Sequence, residues 1–166
     1  YPDVFLRSAS NTVPFPLDEK TSRLIKFMAK AMYQHHGIGL AAIQVGYQLR
    51  MFVMDCSRSQ SGYKVFINPE ILEKSIETLR DSEGCLSAPG KIGDVRRHIR
   101  IILKYQNEKG EEEKKTFYNL EARCIQHEMD HLEGKLCIDY EKGNYSRDKH
   151  NAQTMVESDF RTKSDT

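Results

Sequence analysis

The chain has 166 residues, which is enough for a single domain with a substantial core. Its formal net charge of +1, with 30% charged residues, does not indicate a nucleic-acid-binding surface, although a local basic patch is compatible with it. No apolar run reaches the length of about 18 residues that a membrane-spanning helix needs, so no membrane segment is expected.

The first predicted element is an amphipathic helix that starts at a cap on Asp18 and ends before Gly37. Apolar residues recur there at helical spacing, at Leu24, Ile25, Met28, Ala31 and Met32. The next segment, 37–46, combines glycines and alanines with one amide, Gln44, in apolar surroundings. A buried glutamine needs hydrogen-bond partners, and an oxyanion in an active site is one candidate. A glycine-rich packing turn is the alternative.

The remaining elements predict an α+β fold in which mostly antiparallel sheets hold a central helix. Strands are predicted over 50–55, 64–68, 76–80, 99–105 and 112–118. A helix is predicted over 120–132, ending at Gly134. Residues 141–166 are polar, with few apolar anchors. We therefore expect a folded domain over 1–140, followed by a polar tail or a loosely docked helix.

The motif H-E-x-x-H occupies residues 127–131, inside the second predicted helix. Side chains four residues apart lie on one helical face, so His127 and His131 can reach the same metal ion. Glu128 can then contact a water at that metal and act as a general base. The alternative is a charged helix face with two partly exposed histidines. The motif predicts a hydrolytic metal centre.

A catalytic divalent site usually needs a third protein ligand and an open position. Extension to H-E-x-x-H-x-x-G-x-x-H fits Gly134 but places Cys137 where the third histidine belongs. Glu157 lies in the polar tail. Cys85 is the better candidate, because it lies in a short segment between Gly84 and Pro89 where a thiolate can face a cavity. A small buried side chain without ligand function is the alternative for Cys85.

The four cysteines, at positions 56, 85, 124 and 137, include no C-x-x-C pair, so neither a zinc ribbon nor a disulfide framework is predicted. A thiolate that binds metal would be oxidised outside a reducing compartment. We therefore expect a cytoplasmic protein, or an organellar one if a transit segment preceded Tyr1.

Three segments, in this order, resemble the motifs of the peptide deformylase family: G-I-G-L-A-A-I-Q at 37–44, E-G-C-L-S at 83–87 and Q-H-E-M-D-H-L at 126–132. The opening Y-P-D is also similar, and the resemblance spans 1–140. It implies that Cys85, His127 and His131 bind the metal. Glu128 would act as base and acid, while the Gln44 amide and the Leu86 N–H hold the oxyanion.

The resemblance implies a substrate as well: N-formylmethionyl nascent polypeptides, from which the enzyme releases formate. The residues implied in substrate binding are Ile38, Gly39, Gly84, Arg97, Leu120 and Cys124. Arg123, on the metal helix, could cover the rim of the pocket. For Arg97, a solvated strand face shared with Arg96 and Arg100 is the alternative.

The implied cofactor is one divalent metal ion, with Fe²⁺ expected in the cell and Zn²⁺, Ni²⁺ or Co²⁺ as substitutes in purified protein. The implied partners are nascent chains, with ribosome contact near the exit tunnel as a further expectation. Two other functions fit the residues. One is a metal-dependent endopeptidase that uses the same motif, and the other is a closed structural metal site, which would need a fourth protein ligand.

Overall fold

The computed structural model describes residues 1–140. The predicted tail at 141–166 lies outside the described residues. The helices and strands are α1 (Glu19–Gln34), β1 (Gly39–Ala41), β2 (Met51–Met54), β3 (Lys64–Lys74), β4 (Thr78–Gly84), β5 (Ile92–His98), β6 (Arg100–Gln106), β7 (Glu112–Tyr118) and α2 (Asn119–Leu132). Short 3₁₀ turns occupy Val4–Arg7, Ala42–Val45 and Cys137–Asp139. This arrangement confirms the predicted α+β class.

Helix α1 forms where the sequence predicts it. The Asp18 carboxylate accepts a hydrogen bond from the Thr21 backbone N–H at 2.7 Å, which satisfies one of the free donors of the first turn. The apolar positions at helical spacing, including Leu24, Ile25 and Met28, are buried. Within residues 1–140, no helix has both the length and the apolar composition needed to cross a membrane.

Five antiparallel strands form the larger sheet, in the order β1-β2-β3-β6-β7, and β4 pairs with β5 in a separate two-stranded sheet. Strand β2 is buried along its whole length. Its alternate side chains point to opposite faces, so Met51 and Val53 pack with α1, while Phe52 and Met54 pack with α2. The two helices therefore cover opposite faces of the larger sheet.

Helix α2 lies between the two sheets. Its apolar residues Ala122 and Ile125 join the core formed with the larger sheet. On its other side, the Arg123 guanidinium donates to the backbone carbonyls of Leu79 and Val95 in the smaller sheet, at 2.6 and 3.0 Å. The helix ends near Gly134, whose φ is +71° and where a Cβ would lie 2.3 Å from the Arg7 carbonyl oxygen. Glycine is therefore required at that end.

Four strands differ from the sequence prediction. Strand β3 does not stop before Pro69 but continues to Lys74, because the register shifts between Ile67 and Glu70 and the proline sits at that irregularity. Strand β4 runs to Gly84 rather than to residue 80. Strands β1 and β5 correspond to none of the predicted strands.

Asp55 fixes the loop that follows β2. Its carboxylate accepts hydrogen bonds from the Tyr33 hydroxyl of α1 at 2.7 Å, from the Ser57 N–H at 2.8 Å and from the Gly62 N–H at 3.2 Å. Burial raises the pKa of Asp55, but the hydrogen bonds from Ser57 and Tyr33 outweigh burial and lower the pKa to about 2. The carboxylate therefore joins the loop to the end of α1.

We expect Asp55→Asn to lower the free energy of unfolding at pH 7 by about 1–3 kcal/mol, because the amide cannot accept all of these bonds. The folded-state pKa of Asp55 is lower than its ordinary value, so its stabilisation is present above about pH 4 and is lost as the pH falls toward 2. Urea unfolding of both proteins from pH 7 to 2 measures the difference. The difference in unfolding free energy between the parent and Asp55→Asn should shrink as the pH falls. Glu108→Gln, which changes an exposed residue in a turn, should match the parent at every pH.

Candidate metal centre

Three donor atoms converge where the end of β4 meets α2. They are the Cys85 thiol and the imidazole nitrogens of His127 and His131, which all lie within 4.8 Å of one another. The two Nε2 atoms are 3.2 Å apart, and Cys85 Sγ is 3.3 Å from His131 Nε2. His131 is fully buried. The helix brings its two histidines to one face, as the spacing predicts, and only the tertiary fold adds the cysteine.

These separations fit a metal ion. In a tetrahedral site with metal–nitrogen distances of about 2.0–2.1 Å and a metal–sulfur distance of about 2.3 Å, the donor atoms lie about 3.3–3.6 Å apart. Two nitrogen donors and one sulfur donor suit several divalent transition metals. Three protein ligands also leave a fourth position for water or substrate, as in catalytic sites. The donor set and its geometry therefore fit an open divalent site.

The Glu83 carboxylate orients one ligand. Its Oε2 accepts a hydrogen bond from His127 Nδ1 at 2.9 Å, which leaves Nε2 to face the metal position. The same carboxylate forms a two-point ion pair with Arg97, at 2.9 and 3.0 Å, and accepts from Arg123 at 2.7 Å. Burial raises the pKa of Glu83, but the hydrogen bonds from His127 and Arg97 outweigh it and lower the pKa to about 2.

Arg97 extends this cluster to the far side of α2. Its side chain is 5% exposed and donates to Asp130 at 2.6 Å and to the Tyr140 hydroxyl oxygen at 3.2 Å. The Tyr140 hydroxyl in turn donates to Asp130 at 2.6 Å. The alternative of a solvated strand face is therefore wrong for Arg97, although it fits its neighbour Arg96, which is exposed.

Glu128 is buried beside the three donors. It is 3% exposed, and its Oε2 has no hydrogen-bond partner among residues 1–140. Burial raises the pKa of Glu128, although both histidines oppose this effect. Gly39 permits the close packing, because a Cβ there would lie 2.4 Å from Glu128 Oε1 and 2.8 Å from Cys124 Sγ. A carboxylate in this position can accept a proton from a group at the metal and return it.

Gln44 reaches the same place from the 3₁₀ turn after β1. Its Oε1 accepts from the Ala41 N–H at 2.8 Å, which fixes the amide, and its Nε2 donates to Ser87 Oγ at 3.1 Å and toward Cys85 Sγ at 3.7 Å. The amide N–H groups are thus directed at the metal-binding group. Ser87 was not predicted as a partner, although it closes the E-G-C-L-S segment.

A cavity of about 440 Å³ opens onto this centre. It is lined by most of the residues that the sequence predicts: Ile38, Gly39, Gln44, Gly84, Cys85, Leu86, Leu120, Cys124, His127 and Glu128. Arg123 lines it as well, and its guanidinium is bonded to Glu83 and to backbone carbonyls of the smaller sheet. Arg97 and His131 are not among the lining residues, because both lie behind the wall.

Sequence reasoning missed two neighbours of the metal-binding group. Glu83 received no role, although it precedes Cys85 by two residues and alternate strand positions share a face. Cys137 was considered only as a ligand. It is buried and donates toward the Glu83 carbonyl oxygen at 3.6 Å, outside the three-donor group. Glu157, the other alternative ligand, lies outside the described residues.

Comparison with known proteins agrees with this geometry. The family model for polypeptide deformylase matches residues 1–146. A peptide deformylase from Pseudothermotoga lettingae is 47% identical over 137 residues, which cover 82% of this chain and 77% of the relative. One from Bartonella henselae is 44% identical over 141 residues, covering 84% of this chain and 80% of the relative.

The fold is also similar to that of a solved peptide deformylase. The crystal structure of peptide deformylase from Thermotoga maritima superposes with a TM-score of 0.80 at 42% sequence identity, covering 86% of this chain and 95% of that one. The family model spans most of the chain, and the relatives match it over most of their own length. The chain therefore belongs to the peptide deformylase family.

Proposed function

We propose that this protein removes the N-formyl group from nascent polypeptides that begin with formylmethionine, giving formate and a free amino terminus. One observation carries the proposal: Cys85, His127 and His131 form an open three-donor group beside a buried carboxylate, at the end of a cavity. A divalent ion held by these three residues would supply Lewis-acid chemistry and make hydroxide available from water at neutral pH.

Glu128 would move the proton. Its buried Oε2 is without a partner among the described residues, so it can accept the proton of the attacking water and return it to the departing amine. The pKa of Glu128 is raised by burial, which favours a carboxyl group that must both take up and release a proton. Such a base contributes about 10²–10⁴-fold to the rate.

Gln44 and Leu86 would stabilise the negative charge that develops on the formyl oxygen. The Gln44 Nε2 is oriented by the bond from Ala41 N–H to its Oε1, so its donors are fixed before substrate binds. Leu86 follows Cys85 directly and lines the cavity, so its backbone N–H would be the second donor. One fixed oxyanion donor contributes about 10²–10³-fold to the rate.

The substrate would enter as an added strand. β1 is the edge strand of the larger sheet, and Gly84 ends β4 on the opposite side of the cavity. Backbone near Ile38 and Gly39 is thus available for strand-like pairing with a peptide. Leu120 and Cys124 contribute an apolar wall for a methionine side chain. Arg97 would act from behind this wall, through Glu83.

The metal would be Fe²⁺ in the cell. Zn²⁺, Ni²⁺ or Co²⁺ would be functional substitutes, because affinity alone does not select among divalent ions for a donor set of two histidines and one cysteine. All four cysteines of the chain are free thiols. This supports a reducing compartment such as the cytoplasm. The protein would bind nascent polypeptides as they leave the ribosome.

The proposed reaction is tested by formate release from formyl-Met-Ala-Ser, measured beside cleavage of an internal peptide bond, with protein purified anaerobically. We expect formate and no internal cleavage. Glu128→Gln should keep its metal but lose at least about 10²-fold in turnover, because the amide cannot accept the proton. Glu121→Gln, on the same helix, should behave as the parent. Turnover by Glu128→Gln near the parental rate would contradict the assigned base.

The ligand set is tested by metal analysis of two cysteine variants. We expect about one metal ion per chain in the parent. Cys85→Ala should lose it or bind it far more weakly, because one of three donors is gone, whereas Cys137→Ala should keep it. Elemental analysis after dialysis measures both. Full metal in Cys85→Ala, with loss in Cys137→Ala, would move the third ligand to Cys137.

Arg97 is expected to act on stability through buried charge. Arg97→Met leaves the Glu83 and Asp130 carboxylates without their shared partner, which should cost about 3–5 kcal/mol of unfolding free energy. Arg96→Met, at the adjacent exposed position, should change it by less than about 0.5 kcal/mol. Urea unfolding at constant metal concentration compares the two. Equal effects would show that the buried ion pairs do not contribute.

A further inference from the structure

Helix α1 concentrates positive charge on the side that faces away from the core. It contains four cations and one carboxylate, whereas the whole chain has a formal net charge of only +1. Every exposed side chain of the helix from position 20 to position 30 is either a cation or an aromatic ring. We call this surface the α1 face, and it consists of Lys20, Arg23, Lys26, Phe27 and Lys30.

The α1 face is a continuous strip of mostly unpaired charge. At about 3.6 residues per turn its side chains fall within an arc of about 120°, and a rise of about 1.5 Å per residue places Lys20 and Lys30 about 15 Å apart. Arg23 pairs with Glu19 at the amino-terminal end. The three lysines of the face form no ion pair with a carboxylate among residues 1–140. The strip therefore offers cations to an anionic partner.

A cleft of about 530 Å³ lies beside the α1 face, lined by residues of α1 and by Val45 and Tyr47. It shares no lining residue with the cavity at the three-donor group. Two of its side chains are aromatic rings, Phe27 and Tyr47, which are 55% and 37% exposed. The Lys20 Nζ lies 5.7 Å from the centre of the Tyr47 ring. Exposed rings beside cations are suited to a partner that is both planar and anionic.

A membrane surface fits the α1 face less well. A helix that binds at a lipid interface buries a broad apolar face in the bilayer, but the apolar residues of α1, such as Leu24, Ile25 and Met28, are buried in the protein core. Phe27 is the only large apolar side chain exposed on α1, all of which the structure describes. An acidic peptide would match the cations, but its carboxylates would leave the rings of the cleft without a partner.

We propose that the α1 face and its cleft bind single-stranded nucleic acid, with phosphates on the lysines and a base stacked on the Phe27 ring. A single strand presents unpaired bases whose flat faces can stack on an aromatic side chain, whereas a duplex conceals them. The strip is long enough for about four nucleotides, at about 3.4 Å per phosphate along a strand. Binding tolerates many sequences, because stacking and phosphate contacts do not read base edges.

The test uses the full chain and a fluorescein-labelled single-stranded RNA of about 12 nucleotides. Binding is followed by fluorescence anisotropy at about 50 mM and about 200 mM salt. For the parent, we expect the affinity to fall by about 20–50-fold between these concentrations, which corresponds to three or four phosphate contacts on a single strand. Turnover plays no part in this measurement, so its outcome is independent of the proposed reaction.

Three variants separate charge from stacking. Lys26→Gln combined with Lys30→Gln should weaken binding by at least about tenfold at the lower salt concentration and reduce its salt dependence, because two phosphate contacts are lost. Phe27→Ala should weaken binding by about fivefold or more with the salt dependence unchanged, and Phe27→Tyr should retain binding, because stacking requires only a ring. The matched control, Lys109→Gln combined with Lys114→Gln, removes the same charge from exposed positions outside α1 and should bind as the parent does. Urea unfolding checks that each variant is folded.

Three results would overturn the proposal. They are no binding by the parent at the lower salt concentration, equal losses in the α1 lysine variant and the control variant, and undiminished binding by Phe27→Ala. Vesicles of phosphatidylcholine and phosphatidylserine are a second probe. If the parent bound these vesicles and not the RNA, and Phe27→Ala lost that binding, the α1 face would belong to an anionic membrane instead.

Discussion

The buried carboxylate of Glu83 is the interaction on which the metal centre depends. A buried charge costs several kcal/mol unless it is paired and hydrogen-bonded, and here three cationic or N–H-bearing side chains, His127, Arg97 and Arg123, surround it. Two of them belong to α2 and one to β5, while Glu83 itself belongs to β4. The charge thus joins the strand that directly precedes Cys85 to the helix that carries both histidines, and this connection holds the three donor atoms together.

The two sheets give the site its walls. Helix α2 is enclosed by the larger sheet on one side and by β4 and β5 on the other, so the metal-binding face of the helix is directed into the gap between them. The edge strand β1 forms the wall of the cavity that faces α2. The strand approaches α2 closely because Gly39 has no side chain. A cavity that ends at the three donors and runs along an open strand edge fits the proposed substrate, an extended peptide that would present its terminal group to a metal ion.

The thiols also occupy defined positions. At the distance from H-E-x-x-H where another hydrolase class has its third histidine, this chain has Cys137, and the fold turns that residue toward the Glu83 backbone rather than into the three-donor group. Cys137 has the sequence spacing of a ligand, but in the structure it contacts the backbone two residues before the proposed ligand Cys85.

The sequence by itself determined the local features. Helix α1 with its Asp18 cap, the helical face of His127 and His131, and the strand at 112–118 follow from periodicity, capping and spacing, which act over a few residues. Only the tertiary structure decided the rest: that Cys85 completes the donor group, that Arg97 is buried against Glu83 rather than solvated, and that β3 continues past Pro69. These features depend on contacts between residues far apart in the chain, where register, burial and charge pairing are set by how the elements pack, and no short-range pattern records that packing.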